Sequence, residues 1–163
     1  MAEFHNIEPV FDARSRILIL GSFPSVKSRE AQFFYGHPQN RFWKVLAAVL
    51  DAPVPQSIEE KRTLLLTHGI ALWDVIASCE ITGSSDSSIK NAVPNDLSRI
   101  FDKADIRAVF CNGSTAGKLY QKYLLSVTGI NAAALPSTSP ANAAWSLERL
   151  TQHWLAAITP HLM

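Results

Sequence analysis

Ile17-Leu18-Ile19-Leu20 runs without a polar residue and stops at Gly21, and this stretch limits the fold more than any other in the chain. A strand with one wet face alternates apolar and polar residues; an unbroken apolar run ended by glycine is the pattern of a strand covered on both faces. Such a strand needs helices above and below it, and the rest of the sequence supplies them in alternation. From Asn40 the positions Phe42, Leu46, Val49 and Leu50 recur at helical spacing, with Asn40 standing as the N-cap. Ser57 and Glu60 form a capping box and Gly69 suits a C′ position, which predicts a helix over 58–68. Residues 70–77 and 106–112 read as further strands, and 131–135 as a fourth ahead of Pro136. Residues 96–101, 115–123 and 144–158 read as helices, the last with Leu147, Leu150, Trp154 and Ile158 on one stripe. Alternation of this kind predicts an α/β fold, a three-layer α/β/α sandwich around a mostly parallel central sheet of about four strands.

The 163 residues fit one domain spanning 1–163, and a chain of this length buries about 70% of its unfolded surface. With 47% hydrophobic and 18% charged residues the composition is that of a globule with a sizeable core. No apolar run approaches the roughly 20 residues of a bilayer span, so no membrane association is expected. The start carries Glu3, His5, Asn6 and Glu8, the wrong chemistry for a signal peptide, and a cytoplasmic protein is expected. Cys79 and Cys111 form no CxxC pair and the five histidines no HExxH, which leaves no support for a metal or another cofactor. The formal charge of +1 neither requires nor excludes a nucleic-acid partner. Locally, Lys27, Arg29, Arg41 and Lys44 face only Glu30 within 21–50, while 131–147 carries no charged side chain. With so few cations to neutralise phosphates, any nonspecific binding to nucleic acid is expected to be weak and salt-sensitive. The protein is expected to be a monomer.

In parallel sheets ligands sit beyond the carboxyl ends of the strands. There the sequence places Gly21-Ser22-Phe23-Pro24-Ser25, then Ser78 with the tract from Gly83 to Ser88, then Asn112-Gly113-Ser114-Thr115, and Pro136-Ser137-Thr138-Ser139-Pro140. Short hydroxyls and free backbone N–H groups at such turns suit phosphate oxygens, although serine, glycine and proline are also what loops are made of. The segment from Phe33 to Trp43 adds six aromatic rings, counting His37, in eleven residues, interrupted by Gly36, Pro38, Asn40 and Arg41. Rings beside amide and guanidinium groups suit a pocket for a flat heterocycle. Phe42 and Trp43 read as core anchors of the helix; Tyr35 and Asn40 read as functional.

Three stretches carry a resemblance: Gly21-Ser22-Phe23-Pro24-Ser25, the run Tyr35-Gly36-His37-Pro38-Gln39-Asn40-Arg41-Phe42-Trp43, and Leu135-Pro136-Ser137-Thr138-Ser139-Pro140-Ala141-Asn142. Together and in this order they resemble the motifs of the uracil-DNA glycosylase superfamily, and within it the hypoxanthine-DNA glycosylase branch, over about 15–158. The resemblance implies a cofactor-free DNA repair enzyme that flips a deaminated base out of DNA and hydrolyses its N-glycosidic bond. It implies Asn40 as the catalytic residue and Tyr35 as the aromatic that stacks on the extruded base. Phe23 stands where mismatch-specific uracil glycosylases carry a catalytic Asn, and Leu135 where their second motif begins with Asn, so that activity does not carry over.

Beside Tyr35, the base pocket is expected to include Ser22, Phe23 and Asn112. The DNA backbone is expected to meet Ser25, Lys27, Ser28, Ser137, Thr138, Ser139 and Asn142, with charge from Arg29. Pro140, in an uncharged segment that can enter the base stack without desolvating an ion, reads as the wedge. Asp74 and Asp86 are possible bases for the water, with solvated turn acids the favoured reading; His37 reads as structural. Ser22 with His37 would be a hydrolase pair only in a Gly-x-Ser-x-Gly elbow, which is absent. Two other readings stay open: the same fold acting on uracil or a mismatch, and a module that binds extruded bases without cutting them.

Overall fold

The apolar run at 17–20 is fully buried and forms the middle of a parallel sheet, in a computed structural model that describes residues 2–5, 7–83 and 85–162. Asn6 of the leader reading and Ser84 of the hydroxyl-rich tract lie outside the described residues. In chain order the elements are β1 (Glu3–Phe4), β2 (Ile17–Gly21), α1 (Val26–Ala31), α2 (Phe42–Val49), α3 (Ile58–Thr67), β3 (Ile70–Asp74) and β4 (Ile76–Glu80). They continue with β5 (Lys90–Pro94), α4 (Ser98–Phe101), β6 (Ala108–Asn112), α5 (Ser114–Tyr123), α6 (Leu125–Thr128), β7 (Ala132–Leu135) and α7 (Leu147–Ile158). A 3₁₀ turn, Asp86–Ser88, lies between β4 and β5.

The main sheet has the order β3-β2-β6-β7, all parallel and flanked by helices, which is the predicted α/β/α sandwich. From β2 the chain goes to β3 on one side and then to β6 on the other. That reversal opens a crevice at the carboxyl ends of the central strands, where flanking connections diverge. Phe42 and Trp43 are core anchors, as their spacing predicts: Phe42 packs edge-on against Trp154 of α7 with 5.8 Å between ring centroids. Burying one such side chain contributes about 1.5–3 kcal/mol. Trp154 Nε1–H donates to the Pro136 carbonyl (2.9 Å), which ties α7 to the loop after β7.

Residues 70–77, read as one strand, are two. β3 ends at Asp74 opposite Gly21; the next N–H groups, of Val75 and Ile76, donate to the carbonyls of Gly21 and Ser22. The chain then leaves for a second, antiparallel sheet of order β1-β4-β5. Both halves are apolar because both are buried, so periodicity carries no mark of the change of sheet. The Gly83–Ser88 tract accordingly belongs to the β4–β5 connection and not to the end of a main-sheet strand. Helix starts differ by a few residues: α2 begins at Phe42 and α7 at Leu147, the latter capped by Ser146 accepting from the Arg149 N–H (3.1 Å). Among the described residues no helix is long and apolar enough to cross a membrane.

Candidate active site

A cavity of about 330 Å³ opens at the carboxyl ends of β2, β3 and β6, walled by the loops after β2 and β7 and by the turn before α2. Gly21 forms part of its surface for a steric reason. A Cβ there would lie 2.5 Å from Asp74 Oδ1 and 2.9 Å from the Tyr35 hydroxyl, both inside contact distance. Any other residue at 21 would therefore push these two oxygens away from the strand end.

One wall is braced throughout. The Phe42 backbone N–H donates to Asn40 Oδ1 (2.9 Å), and because an N–H only donates, this contact fixes which end of the amide is oxygen. The Thr138 hydroxyl donates to the same oxygen (2.8 Å), so the carbonyl end of Asn40 is occupied and its NH₂ is left for the cavity. Thr138 is fully buried; its Oγ1 accepts from Asn112 Nδ2 (3.0 Å) and its N–H donates to Asn112 Oδ1 (3.0 Å). Asn112, Thr138 and Asn40 thus form a directional chain in which each bond polarises the next. Arg41 holds the same loop from the other side. Its backbone N–H and Nε both donate to the Thr138 carbonyl, its Nη2 to the Ser139 and Asn142 carbonyls (2.8 and 3.2 Å), and its Nη1 to the Trp145 carbonyl. A planar fork of five donors is what reaches several carbonyls at once.

The opposite wall is not braced. Asp74 is buried at the end of β3, and its Oδ2 has no hydrogen-bond partner. Burial, and secondarily the charge of Asp86, push its carboxyl up to about 8. The Tyr35 hydroxyl is likewise buried without a partner, and burial followed by the Asp74 charge raises it well above the usual phenol range. The Asn112 amide opposes this rise, although it stands short of hydrogen-bond geometry with the phenol. Tyr35 has φ of +53°, a conformation costing roughly 1–2 kcal/mol for a residue with a Cβ. Its ring is stacked on Phe42 at 4.1 Å and 18°, so one of the two faces expected to receive a base is already taken. Asp86 stands at the rim. The residue is exposed, but its carboxyl is turned into the protein, where Oδ1 accepts from the Ser22 hydroxyl (2.7 Å); burial raises it and this bond opposes the rise. Neither aspartate is therefore the solvated turn acid that the sequence favoured.

The residues expected at the DNA backbone divide. Lys27 is exposed and 3.7 Å from Glu30, and Ser137, Ser139 and Pro140 line the cavity, Pro140 exposed at its lip. Ser137 and Ser139 also brace their own loop, accepting from the N–H groups of Ser139 and Ala141 (both 3.1 Å). Ser25 caps α1, while Ser28 is buried and accepts from the Gly36 N–H (2.9 Å) and the Ser25 hydroxyl (3.1 Å). Ser28 and Thr138 are thus internal ties, withdrawn from the phosphate role expected of them. Asn142 Nδ2 donates to the Ser137 carbonyl (3.0 Å). Arg29, expected to lend charge, is spent on Glu3, the Gly83 carbonyl and the face of Phe23. Phe23 borders the cavity, but its ring is edge-on to His5 at 5.4 Å. His37 Nδ1 accepts from the Gln39 N–H (3.1 Å), a turn contact with no link to Ser22. Arg41 as the loop's tie was not foreseen; it stands in the specific run that carries the resemblance.

The family model described as the uracil DNA glycosylase superfamily matches residues 8–162. A protein named hypoxanthine DNA glycosylase from Methanosarcina acetivorans is 37% identical over 142 residues, 86% of this chain and 89% of that one. One of the same name from Methanosarcina barkeri is 36% identical over 141 residues, 79% of this chain and 89% of its own. Among solved structures, the solution NMR structure of a provisionally named uracil DNA glycosylase from Methanosarcina acetivorans superposes with a TM-score of 0.80 at 34% identity, covering 96% of each chain. A match from residue 8 to residue 162, across all the loops that wall the cavity, places the chain in the uracil DNA glycosylase superfamily.

Proposed function

We propose that this protein is a monofunctional DNA glycosylase that releases hypoxanthine from deoxyinosine. The observation that carries this reading is a cavity at the small end of the roughly 300–1,000 Å³ range of ligand pockets, room for one base, into which the Asn40 amide presents only donors. The relatives named hypoxanthine DNA glycosylase support the choice of base. Extruding the nucleotide costs a few kcal/mol, which filling the vacated stack helps to offset. Pro140 at the exposed lip is the wedge of this proposal, and Lys27, Ser137 and Ser139 its phosphate contacts.

In the chemical step the bond between C1′ and N9 breaks, and its electron pair leaves with the base. Water adds to C1′, and the proton it gives up balances the one the base gains. The products are free hypoxanthine and an abasic site. Negative charge grows on the departing ring, where the Asn40 N–H groups donate to it; being neutral at every pH, the amide stabilises and positions without taking a proton. Positive charge grows on the sugar, and the Asp86 carboxylate, which lines the cavity at its rim, is the group assigned to hold the water and face that charge. Incubation with duplexes containing inosine, uracil, xanthine or thymine opposite each normal base, without added metal, tests the proposal. Abasic product from inosine is expected. Product from uracil alone would move the reading to a uracil enzyme, and binding of inosine DNA with no product at all would leave a recognition module.

A further inference from the structure

Asp86 reaches the cavity from outside the main sheet, on the connection between β4 and β5. Among the described residues two hydrogen bonds tie that connection to the segment after β2. Arg29 Nη2 donates to the Gly83 carbonyl (3.0 Å), and the Ser22 hydroxyl donates to Asp86 Oδ1 (2.7 Å) across 64 positions of chain. Bonds within the connection, from the Thr82 N–H to Ser88 Oγ (2.8 Å) and from Ser88 Oγ to the Ser85 carbonyl (2.7 Å), stiffen the turn without aiming it. We propose that Ser22 is a positioning residue for excision: its hydroxyl holds the Asp86 carboxylate at the cavity with Oδ1 engaged and Oδ2 left for the water that attacks C1′. This rests on the glycosylase reading above and gives Ser22 a role other than the base contact expected of it.

Ser22 is itself fixed. It is buried directly after the end of β2, and its carbonyl accepts from the Ile76 N–H (3.0 Å). A hydroxyl has one proton to give, and here that proton points at Oδ1, so the contact is strongest when Asp86 is ionised and can only accept. Burial raises the Asp86 carboxyl, and this bond opposes the rise. With Oδ1 held, Oδ2 accepts from one O–H of the water. As the water oxygen bonds to C1′ this O–H breaks, its electron pair stays on oxygen, and the proton passes to Asp86 and then to solvent, from which the departing base takes its own. The ionisable groups around Asp86 come from several elements. Asp74 at the end of β3, Tyr35 before α2 and Cys79 of β4 all feel its charge; His37 lines the same cavity, and Arg29 of α1, at Gly83, is paired with Glu3. Asp74 keeps its proton up to about 8, so below that pH Asp86 is the ionised carboxyl of the cavity.

A double-mutant cycle read against pH tests the pair. Single-turnover excision of inosine is followed from pH 4.5 to 7.5 for the wild type, Ser22→Ala, Ser22→Thr, Asp86→Asn and the double variant Ser22→Ala with Asp86→Asn, with folding checked by circular dichroism. Asp86→Asn is expected to slow excision about a hundred-fold and to abolish the fall in rate towards acid. Ser22→Ala is expected to slow it about ten-fold at pH 6 and to move that fall up by about one pH unit, because the ionised carboxyl has lost its donor. In the Asp86→Asn background the same change is expected to cost less than about two-fold, whereas a merely structural serine would cost as much in either background. Ser22→Thr keeps the hydroxyl and is expected to restore the wild-type profile. Equal losses in the two backgrounds, or a fall towards acid that stays where it is in a folded Ser22→Ala protein, overturn the inference while leaving the glycosylase reading intact. Asp86→Asn working at the wild-type rate does the same. A wild type that releases no hypoxanthine overturns the glycosylase reading instead, and the Ser22 assignment with it.

Discussion

The two walls of the cavity are built on opposite principles. On the Asn40 side every polar group that fixes the amide is matched inside the protein, through Thr138, Asn112 and Arg41. On the Asp74 side the Tyr35 hydroxyl and Asp74 Oδ2 are buried with nothing to bond. A satisfied network rigidifies; an unsatisfied pair costs about 1–3 kcal/mol for each group. The braced wall holds geometry, then, and the open wall gives up stability by leaving two buried oxygens unpaired.

The largest expected effect that bears on this contrast is in stability against pH. Asp74 is pushed from 3.8 to about 8, so between those values the folded protein keeps a proton that the unfolded chain has released. Its contribution is whole below 3.8 and is lost as pH rises towards 8, with a slope of about 1.4 kcal/mol per pH unit. Urea unfolding of the wild type and Asp74→Asn at pH 5 and pH 7 is expected to show the wild type losing ground to the variant; parallel behaviour would mean Asp74 is ionised when folded and remove the contrast. Next in size, Asn40→Ala is expected to slow excision by about a hundred- to a thousand-fold, about 2.7–4 kcal/mol, with DNA binding nearly intact. An equal drop in affinity would make Asn40 a binding residue only.

Arg41→Lys is expected to lower stability by about 1.5–3 kcal/mol, because an ammonium cannot reach four carbonyls at once. Since Arg41 holds the loop that carries Pro140, excision from duplex should suffer more than excision from single strands; equal losses would separate the loop from base extrusion. Thr138→Val keeps the shape and removes the hydroxyl that fixes Asn40, and excision should fall about ten-fold, about 1.4 kcal/mol, at unchanged affinity for abasic DNA. The smallest effect sharpens the other wall: Tyr35→Phe removes an orphaned hydroxyl, so the fold should gain up to about 1 kcal/mol in urea. A loss of stability would show the hydroxyl to be internally paired.

How much of this is legible in the sequence follows from the range of the interactions. The buried strand at 17–20, the helix anchors Phe42 and Trp43 and the cap at Ser57 all rest on contacts or patterns within a few residues, and the chain spells them out. The break between β3 and β4 is not spelled out, because both halves are apolar and only a partner strand distinguishes them. Asp74 marked that break as the one charge in the run, yet a lone acid at a strand end reads as solvated until Gly21 and Tyr35 are seen to cover it. Ser28 and Thr138 read as phosphate contacts for the converse reason: a loop serine or threonine looks exposed until its partner, eight or ninety-eight positions away, is known.

By itself the sequence determined the class of fold and which loops stand at the strand ends, since period and turn residues act locally and survive in one dimension. It also set Asn40 beside a helix start, as its N-cap, whereas the N-cap is Arg41, one residue later. Only the tertiary structure decided which polar groups spend their hydrogen bonds on one another and which are left over. Donors and acceptors pair through space, and burial, which sets the cost of leaving one unpaired, belongs to the packed chain alone.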